Sequence, residues 1–307
     1  MNTTHHTIKE KPDYRPLQTL LSTDSDHPHI HLVDMPYRLS STWQENGCEL
    51  GIWKKRDELL AWAVFQPPWW NLDFVIHPSQ AGSSLEKEIF EWGKEQMMAY
   101  AKRSGEDFYG SVEIFEDAPG VEQTIENLLS LGFEKFDWSI LRFEKNLQKE
   151  TQQPQLPEGF SIRPLRGKAE VEAYVELHRA AFGSEKMTTA WRMRVLEHPY
   201  YRPEIDLVVE SPKKKLVGFC VCWQWQGVGQ IEPLGVHPEY QGKGLGKALE
   251  LSAHLALRNS EVQRIFVDHA SENTEAIALS LKTGFRPINN AARYFVEINP
   301  DRGDLES

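Results

Sequence analysis

The 307-residue sequence has little cysteine and no run of apolar residues long enough to span a bilayer. Of its three cysteines, Cys220 and Cys222 lie two apart in a strand-like run, so their side chains point to one face and cannot bridge comfortably. We interpret these two as thiols of the core, and Cys48 is left without a predicted role. No N-terminal run has the basic, apolar and small-residue order of a signal peptide. The sequence therefore predicts a cytoplasmic protein without a membrane partner.

Clustered positive charge is also scarce. The formal net charge is −11, and Lys213–Lys215 is the one basic block. Non-specific affinity for nucleic acid comes from neutralising phosphates with Lys and Arg, so a nucleic-acid partner is excluded. Hydrophobic residues at 40% and charged residues at 26% are typical of a folded globular protein.

The length allows two domains, each with its own core. Residues 148–158 are almost free of apolar side chains and contain two prolines, which is typical of a tether between domains. Residues 1–27 are polar and are predicted to form a flexible arm. We therefore predict a first domain over residues 28–147 and a second over residues 159–307.

The second domain has the predicted element order βααβββαβαβ. The first half repeats part of this pattern at a constant offset of 160 residues: Ile76–Lys87 aligns with Val236–Lys247 and shares His, Pro, Gly, Leu and Lys. An internal duplication explains the match.

A glycine-rich loop, Gln241-Gly-Lys-Gly-Leu-Gly246, follows the third strand of the predicted meander and precedes a helix. Such a junction directs unpaired N–H groups and the positive end of the helix dipole at one point, which favours an anion. A P-loop requires a glycine where Gln241 stands and Ser or Thr where Ala248 stands. A Rossmann loop requires a wider final glycine gap.

The loop instead resembles the acyl-CoA loop Q/R-x-x-G-x-G/A of the GNAT acetyltransferase superfamily. The resemblance covers residues 159–298 and includes Asn273-x-x-Ala276-x-x-Leu279 and the Gly284-Phe285 pair. The run Ile231–Pro238 resembles bacterial tandem GNAT proteins with a degenerate first domain, as in the mycothiol synthase architecture. The resemblance implies an α/β fold with a mixed sheet, in two tandem acyl-CoA N-acyltransferase (GNAT) domains.

The resemblance also implies acetyl-CoA as the cofactor, held by the second domain. The implied cofactor-binding residues are Leu234, Gly235, Val236, Gln241, Gly242, Lys243, Gly244, Leu245, Gly246, Lys247, Asn273 and Ser280. Pro233 cannot donate to a sheet ladder, which supports a splayed strand at this position.

Two residues are predicted to be catalytic. Acyl transfer to an amine requires a base, because an amine with a pKa of about 10 is mostly protonated at neutral pH. Glu232, on the splayed strand, is the candidate base, and the alternative interpretation is a solvated glutamate at a strand end. The family usually has a tyrosine acid after the Leu279 position, where this chain has Ser280. Ser280 therefore either relays a proton through water or only contacts the cofactor sulfur.

The loop of the first domain, Ala81–Glu86, keeps one glycine, and Glu86 stands where the second domain has Gly246. A carboxylate there repels a diphosphate, so the first domain is predicted not to bind CoA. The alternating His27, His29 and His31 suggest a polar strand end rather than a metal site, and no metal is predicted.

The sequence thus predicts an N-acetyltransferase that transfers the acetyl group of acetyl-CoA to the amine of a small molecule by direct attack. The alternatives are a non-catalytic acyl-CoA sensor or scaffold, and transfer to a protein lysine or N-terminus. The acceptor is not predicted, and a monomer and a homodimer both remain open.

Overall fold

A computed structural model describes residues 3–23, 31–118, 120–148 and 152–301. The chain divides into two compact units. Unit 1 comprises residues 1–32, 41–140 and 290–307, and unit 2 comprises residues 33–40 and 141–289, as far as these ranges are described. The division is not contiguous and differs from the boundaries predicted at residues 148–158.

Unit 1 is built on strands that follow the order β1-β2-β3-β4-β5-β12. Its elements are β1 (Thr4–Ile8), α1 (Tyr14–Leu21), β2 (Leu50–Lys55), β3 (Glu58–Gln66), β4 (Asn71–Ile76), α3 (Ser84–Ser104), β5 (Phe108–Phe115), α4 (Val121–Ser130), the first part of β6 (Glu134–Asn146) and most of β12 (Arg286–Ile298).

Unit 2 has strands in the order β6-β11-β10-β9-β8-β7. Its elements are α2 (Met35–Leu39), the end of β6, β7 (Ser161–Pro164), α5 (Val171–Phe182), α6 (Thr189–Glu197), β8 (Asp206–Glu210), β9 (Leu216–Trp225), β10 (Val228–Val236), α7 (Leu245–Asn259), β11 (Arg264–Ala270), α8 (Thr274–Thr283) and the start of β12. From β7 to β12 the order is βααβββαβαβ, which confirms the predicted mixed α/β fold.

The N-terminal segment is more ordered than the sequence predicts. Thr4–Ile8 pairs antiparallel with β2, and Asp13 caps α1, whose Leu17, Leu20 and Leu21 are buried. The interpretation of residues 1–27 as a flexible arm is therefore wrong for these residues. The polar composition of the strand reflects an exposed sheet edge rather than disorder. His27 and His29 lie outside the described residues.

The last strand also departs from the prediction. Ala291–Ile298 pairs antiparallel with Phe108–Phe115 of β5 and so belongs to unit 1. Conversely, the segment Val33–Ser40, from the first half of the chain, belongs to unit 2. Pairing between residues distant in sequence leaves no local signal, which is why the two exchanges were not predicted.

The core of unit 2 lies between its sheet and α7. Leu245, Leu249 and Ala253, on the predicted apolar face of α7, are buried in one core cluster with Ile265 and Val267 of β11, and α7 packs on β9 and β10. This packing fixes the start of α7 relative to the ends of β10 and β11. None of the described helices combines the length and apolar character needed to cross a membrane.

Candidate active site

The glycine-rich loop joins β10 to α7 through one 3-10 turn, Pro238–Tyr240. Gly242 and Gly244 have φ angles of 74° and 77°, a region that favours glycine. A Cβ at either residue would meet nothing within 4 Å, and Gly244 is the N-cap of α7. The loop therefore leaves open space in front of the first turn of the helix.

That space is lined by unpaired donors. Within the described parts of the chain, the backbone N–H groups of residues 242–247 have no hydrogen-bond acceptor. The ammonium of Lys243 lies 3.3 Å from the carbonyl oxygen of Glu239, and Lys247 is exposed on the first turn of α7. Donors at the positive end of a helix dipole, with two cations beside them, form a cradle for an anion.

The segment that was predicted as a tether forms one wall beside this cradle. Gln152–Pro157, together with Lys243, Gly244 and Lys247, lines a cavity of about 620 Å³. Leu156 packs against the core of unit 2. The cavity extends the open space of the loop towards the body of α7.

An opening separates β10 from β11. Their parallel pairing runs from Val228↔Arg264 to Gln230↔Phe266, and the described residues show no pair beyond it. On its other side β10 remains paired with β9 as far as Val236, with a register shift between Ile231 and Leu234. The Glu232–Pro233 peptide in this bulge is cis. The edge of β10 that faces the opening presents Leu234–Val236, and the strand is irregular at Pro233, as the proline predicted.

Glu232 lies in this bulge, next to an aromatic wall. Its backbone carbonyl accepts a hydrogen bond from the Trp223 indole N–H at 2.9 Å. Burial, and then charges that include Glu232, raise the pKa of the buried phenols Tyr37 and Tyr174. Both phenols therefore remain protonated at neutral pH.

The wall combines α2, α5 and α6. The Tyr37 hydroxyl lies 3.4 Å from Nε2 of His178, and its ring is 5.3 Å from that of Trp191. Burial, helped by the charge of Arg192, lowers the pKa of His178 to about 4, so this imidazole is neutral. The sequence did not reveal Tyr37 as a site neighbour, because its segment lies in the first half of the chain.

Behind the wall, Arg192 and Asp206 form an ion pair in which both side chains are fully buried. The guanidinium carbon of Arg192 lies 3.8 Å from the centre of the Tyr174 ring, and Tyr201 donates to Asp206 at 2.7 Å. Burial of Arg192 and Trp191 shows packing for these two residues.

Ser280 lies on α8, facing α7. Its hydroxyl is 2.8 Å from Nε2 of His269 and donates to Oε1 of Glu250 at 3.2 Å. Thr283 donates to the second oxygen of Glu250 at 3.0 Å. Burial raises the pKa of Glu250 to about 7, opposed by these hydrogen bonds and by the charge of Lys145. Glu250 and His269 were both missed, since a lone glutamate on an apolar helix gives no motif.

Asn273 has a structural function in addition to any role in binding. It is the N-cap of α8, and its side-chain oxygen accepts a hydrogen bond from the N–H of Ala276 at 3.1 Å. Such a cap stabilises a helix by about 1 kcal/mol. His237 similarly accepts from the N–H of Glu239, and His77 from that of Ser79 in unit 1.

The corresponding loop of unit 1 is closed by its own side chain. The carboxylate of the buried Glu86 accepts hydrogen bonds from the N–H of Gly82 at 3.1 Å and from the Thr124 hydroxyl at 2.8 Å. Ser83 accepts from the N–H of Leu85. Donors that are unpaired in unit 2 thus have acceptors in unit 1.

No group of His, Cys, Asp and Glu side chains suited to a metal occurs among the described residues. His31, the described member of the alternating histidines, lies 3.5 Å from Glu113 and 3.8 Å from Asp73. These two contacts are ion-pair distances for a protonated imidazole.

Part of the sequence of unit 2 is similar to a known protein family. Residues 171–285 match the acetyltransferase (GNAT) family. A mycothiol acetyltransferase of Thermobispora bispora is 31% identical over 159 residues, which cover 48% of this chain and 53% of the relative. A second, from Kineococcus radiotolerans, is 32% identical over 46% of this chain and 47% of the relative. The chain thus spans about half the length of the curated relatives it matches.

Solved structures share the fold over more of the chain. A GCN5-related N-acetyltransferase from Sphaerobacter thermophilus matches with a TM-score of 0.65 and 19% identity, over 82% of this chain and 81% of the other. A tandem GNAT protein from the clavulanic acid biosynthesis pathway matches with a TM-score of 0.67 and 15% identity, over 96% and 98%. At these identities the likeness concerns the fold, which is that of tandem GNAT proteins.

Proposed function

We propose that this chain, a GNAT acetyltransferase with the tandem fold, transfers the acetyl group of acetyl-CoA to a primary amine of a small molecule. The observation that carries the proposal is the row of unpaired N–H groups at residues 242–247, placed at the mouth of the opening between β10 and β11. The two features lie next to each other because β10 leads directly into the loop.

The residues present fit CoA. Unpaired amides, the absence of side chains at Gly242 and Gly244, and the charges of Lys243 and Lys247 suit a diphosphate. Gln241, Leu245 and Gly246 complete the loop. Leu234, Gly235 and Val236 would pair with the pantetheine arm along the free edge of β10. Asn273 and Ser280 stand at the start and the end of α8, on the same side of the sheet as α7.

Bound acetyl-CoA would supply an activated acetyl group as a thioester. Glu232 would take a proton from the ammonium of the acceptor, directly or through a water, so that the free amine attacks the carbonyl carbon. The N–H near Leu234 would donate to the carbonyl oxygen as negative charge develops on it. The aromatic wall around Tyr37 and Tyr174 would exclude water from the base.

We propose that unit 2 carries the reaction and that unit 1 does not bind CoA. The proposal that unit 1 does not bind CoA rests on Glu86, whose carboxylate accepts a hydrogen bond from a backbone donor that an anion would need. The proposed acceptor, a small molecule, comes from the mycothiol acetyltransferase relatives. Those relatives also favour catalysis over a non-catalytic acyl-CoA sensor. A cytoplasmic location, and either a monomer or a homodimer, stay predictions.

The test measures release of the CoA thiol from acetyl-CoA in the presence of a panel of primary amines: amino sugars, amino-acid amides, polyamines and lysine-containing peptides. We expect release that depends on a small amine. CoA binding detected by calorimetry, without release stimulated by any amine, would support the sensor. Release with peptides alone would contradict a small-molecule acceptor.

A further inference from the structure

A chain of hydrogen bonds in unit 2 connects three titratable or hydroxyl side chains from three elements. His269 comes from β11, Ser280 from α8 and Glu250 from α7. The contacts are 2.8 Å between His269 Nε2 and Ser280 Oγ, and 3.2 Å between Ser280 Oγ and Glu250 Oε1. The serine hydroxyl therefore links a carboxyl group to an imidazole.

The solvent exposure of the three hydrogen-bonded side chains determines which of them can contact a ligand. Ser280 is 1% exposed and Glu250 is 2% exposed, whereas His269 is partly exposed. A serine this deeply buried cannot reach a substrate with its short side chain. His269 is the member of the three that is accessible.

The position of His269 places it at the opening. Parallel pairing of the two strands ends at Gln230↔Phe266, and His269 is three residues beyond Phe266, level with Pro233. Side chains alternate along a strand, so His269 shares the α7 side of the sheet with Val267, which is in the core. Leu234 and Val236 pack against the same core from the other edge of the opening.

The carboxyl group at the far end of this chain of hydrogen bonds gains and loses its proton close to neutral pH. Burial raises the pKa of Glu250 to about 7, against the hydrogen bonds of Thr283 and Ser280 and the charge of Lys145 on β6. His254 on the same helix is neutral, because burial lowers its pKa to about 3, and Cys220 on β9 is a buried thiol with a raised pKa. Apart from Lys145, these neighbours are therefore uncharged.

We propose that His269 protonates the sulfur of CoA as the thiol leaves, with Ser280 and Glu250 as positioning residues that supply the proton to its ring. This inference rests on the proposed acetyl transfer. It gives a specific role to a serine where the family usually has a tyrosine, since the buried hydroxyl acts through the imidazole instead of reaching the sulfur itself.

The proton transfers balance. When the C–N bond forms and the C–S bond breaks, the electron pair of the C–S bond stays on sulfur. When Glu250 is protonated, its carboxyl group donates to Ser280 and the Ser280 hydroxyl turns towards His269. His269 then gives the proton of Nδ1 to the sulfur, Ser280 gives its proton to Nε2, and Glu250 gives its proton to Ser280. The two protons lost by the acceptor ammonium leave through Glu232 and water. A proton from solvent then reaches Nδ1 of His269, and the reverse shift through Ser280 returns a proton to Glu250 and frees Nε2, so one proton is released per turnover in total.

The first test uses kinetics on the whole chain with acetyl-CoA and whichever amine of the panel is most active. We expect His269→Gln and Ser280→Ala each to lower kcat by about 100-fold, the scale of general acid catalysis. The KM for acetyl-CoA and the Kd for CoA should change less than about twofold, because Ser280 is buried, which argues against the direct cofactor contact that the resemblance implies for it, and His269 acts on the sulfur only as the thiol leaves. Ser280→Thr keeps the hydroxyl and should restore most of the lost kcat.

Glu250→Gln should remove the inflection near pH 7 from the pH profile of kcat while leaving CoA affinity intact, because glutamine cannot release a proton. His6→Gln and Glu91→Gln, exposed residues of unit 1, are matched controls and should leave kcat unchanged. An unchanged kcat in His269→Gln, or a loss in Ser280→Ala that Ser280→Thr does not restore, would overturn the relay.

The second test does not use activity. Nitrogen NMR of the free protein, labelled in histidine, reports the tautomer of His269. We expect Nε2 to accept and Nδ1 to carry the proton in the wild type, and this preference to weaken in Ser280→Ala. A His269 signal that is the same in both proteins would overturn the relay. If the wild type released no thiol with any amine, the proposed acetyl transfer itself would be refuted. The NMR result does not depend on activity, so it distinguishes failure of the relay from failure of the acetyl transfer.

Discussion

The carboxylate of Glu86 accepts a hydrogen bond from the backbone N–H of Gly82 at 3.1 Å, within the loop of unit 1 that matches residues 241–246 of unit 2. Glu86 is the counterpart of Gly246 at the offset of 160 residues. Glu86 thus supplies an internal acceptor in unit 1, where the aligned loop of unit 2 has exposed, unpaired donors. Burial raises the pKa of this carboxyl group, and its hydrogen bonds with Thr124 and Gly82 oppose the rise. The donor that Glu86 engages is not available to a further anion.

The two loops predict one CoA site per chain. Calorimetry with CoA should give a stoichiometry of one, and the double variant Lys243→Ala, Lys247→Ala should weaken binding by about tenfold or more, since two charge-assisted contacts are lost. Lys87→Ala is the matched control, because Lys87 is the unit 1 counterpart of Lys247. Two sites per chain, or weaker binding in Lys87→Ala, would refute the assignment of the site to unit 2.

Glu232→Gln should lower kcat by about 100-fold and leave the Kd for CoA nearly unchanged, because glutamine keeps the shape of the side chain but cannot accept the proton. Steady-state kinetics and calorimetry measure the two quantities. Glu176→Gln, an exposed residue on α5, is the control. If turnover of Glu232→Gln equals that of the wild type, Glu232 is not the base.

Asp206→Asn should lower the free energy of unfolding by about 3 to 5 kcal/mol, because it leaves the charge of the fully buried Arg192 without its partner. Lys168→Ala, which breaks the exposed pair with Glu197 at 2.7 Å, should cost less than about 1 kcal/mol. Urea unfolding of both variants checks the contrast. Equal losses of unfolding free energy in the two variants would mean that the buried ion pair stabilises the fold no more than the exposed pair does.

His254→Leu should make stability less sensitive to acid. Burial lowers the pKa of His254 to about 3, assisted by the charge of Lys145, while an unfolded histidine titrates at about 6.5. Between these values the unfolded chain binds more protons, so the contribution of His254 to stability is present above pH 6.5 and is lost as the pH falls towards 3.

Urea unfolding at pH 7 and at pH 5 measures the effect. The wild type should lose about 1 to 2 kcal/mol more than His254→Leu between the two pH values. His6→Leu, at an exposed position, should behave like the wild type. A pH dependence that is identical in His254→Leu and the wild type would show that this imidazole is not buried neutral.

The sequence predicted the elements of the second half well because their patterns are local. Apolar residues at helical spacing marked α7, and the glycine-rich run marked the junction between β10 and that helix. Pro233 predicted the irregularity in β10 because proline cannot join a ladder. Glu232 and Ser280 were located through the resemblance, and their roles remain predictions.

The remaining features depend on contacts between distant parts of the chain. Composition indicated a flexible arm at residues 1–27, where the structure has an edge strand and a buried helix. Hydrogen bonding to β2 and burial of Leu17 and Leu20 stabilise these elements, and neither effect is visible in the local sequence. His269 and Glu250 escaped notice for the same reason.

The sequence by itself determined the anion loop, the element order of unit 2 and the loss of the loop glycines in unit 1, because backbone conformation and side-chain periodicity act over a few residues. Tertiary structure alone decided that β12 joins unit 1 and residues 33–40 join unit 2, that Tyr37 packs against His178 and Trp191, and that Ser280 is buried between His269 and Glu250. Those arrangements follow from packing and burial, whose free energy depends on neighbours that can be more than a hundred residues away in sequence.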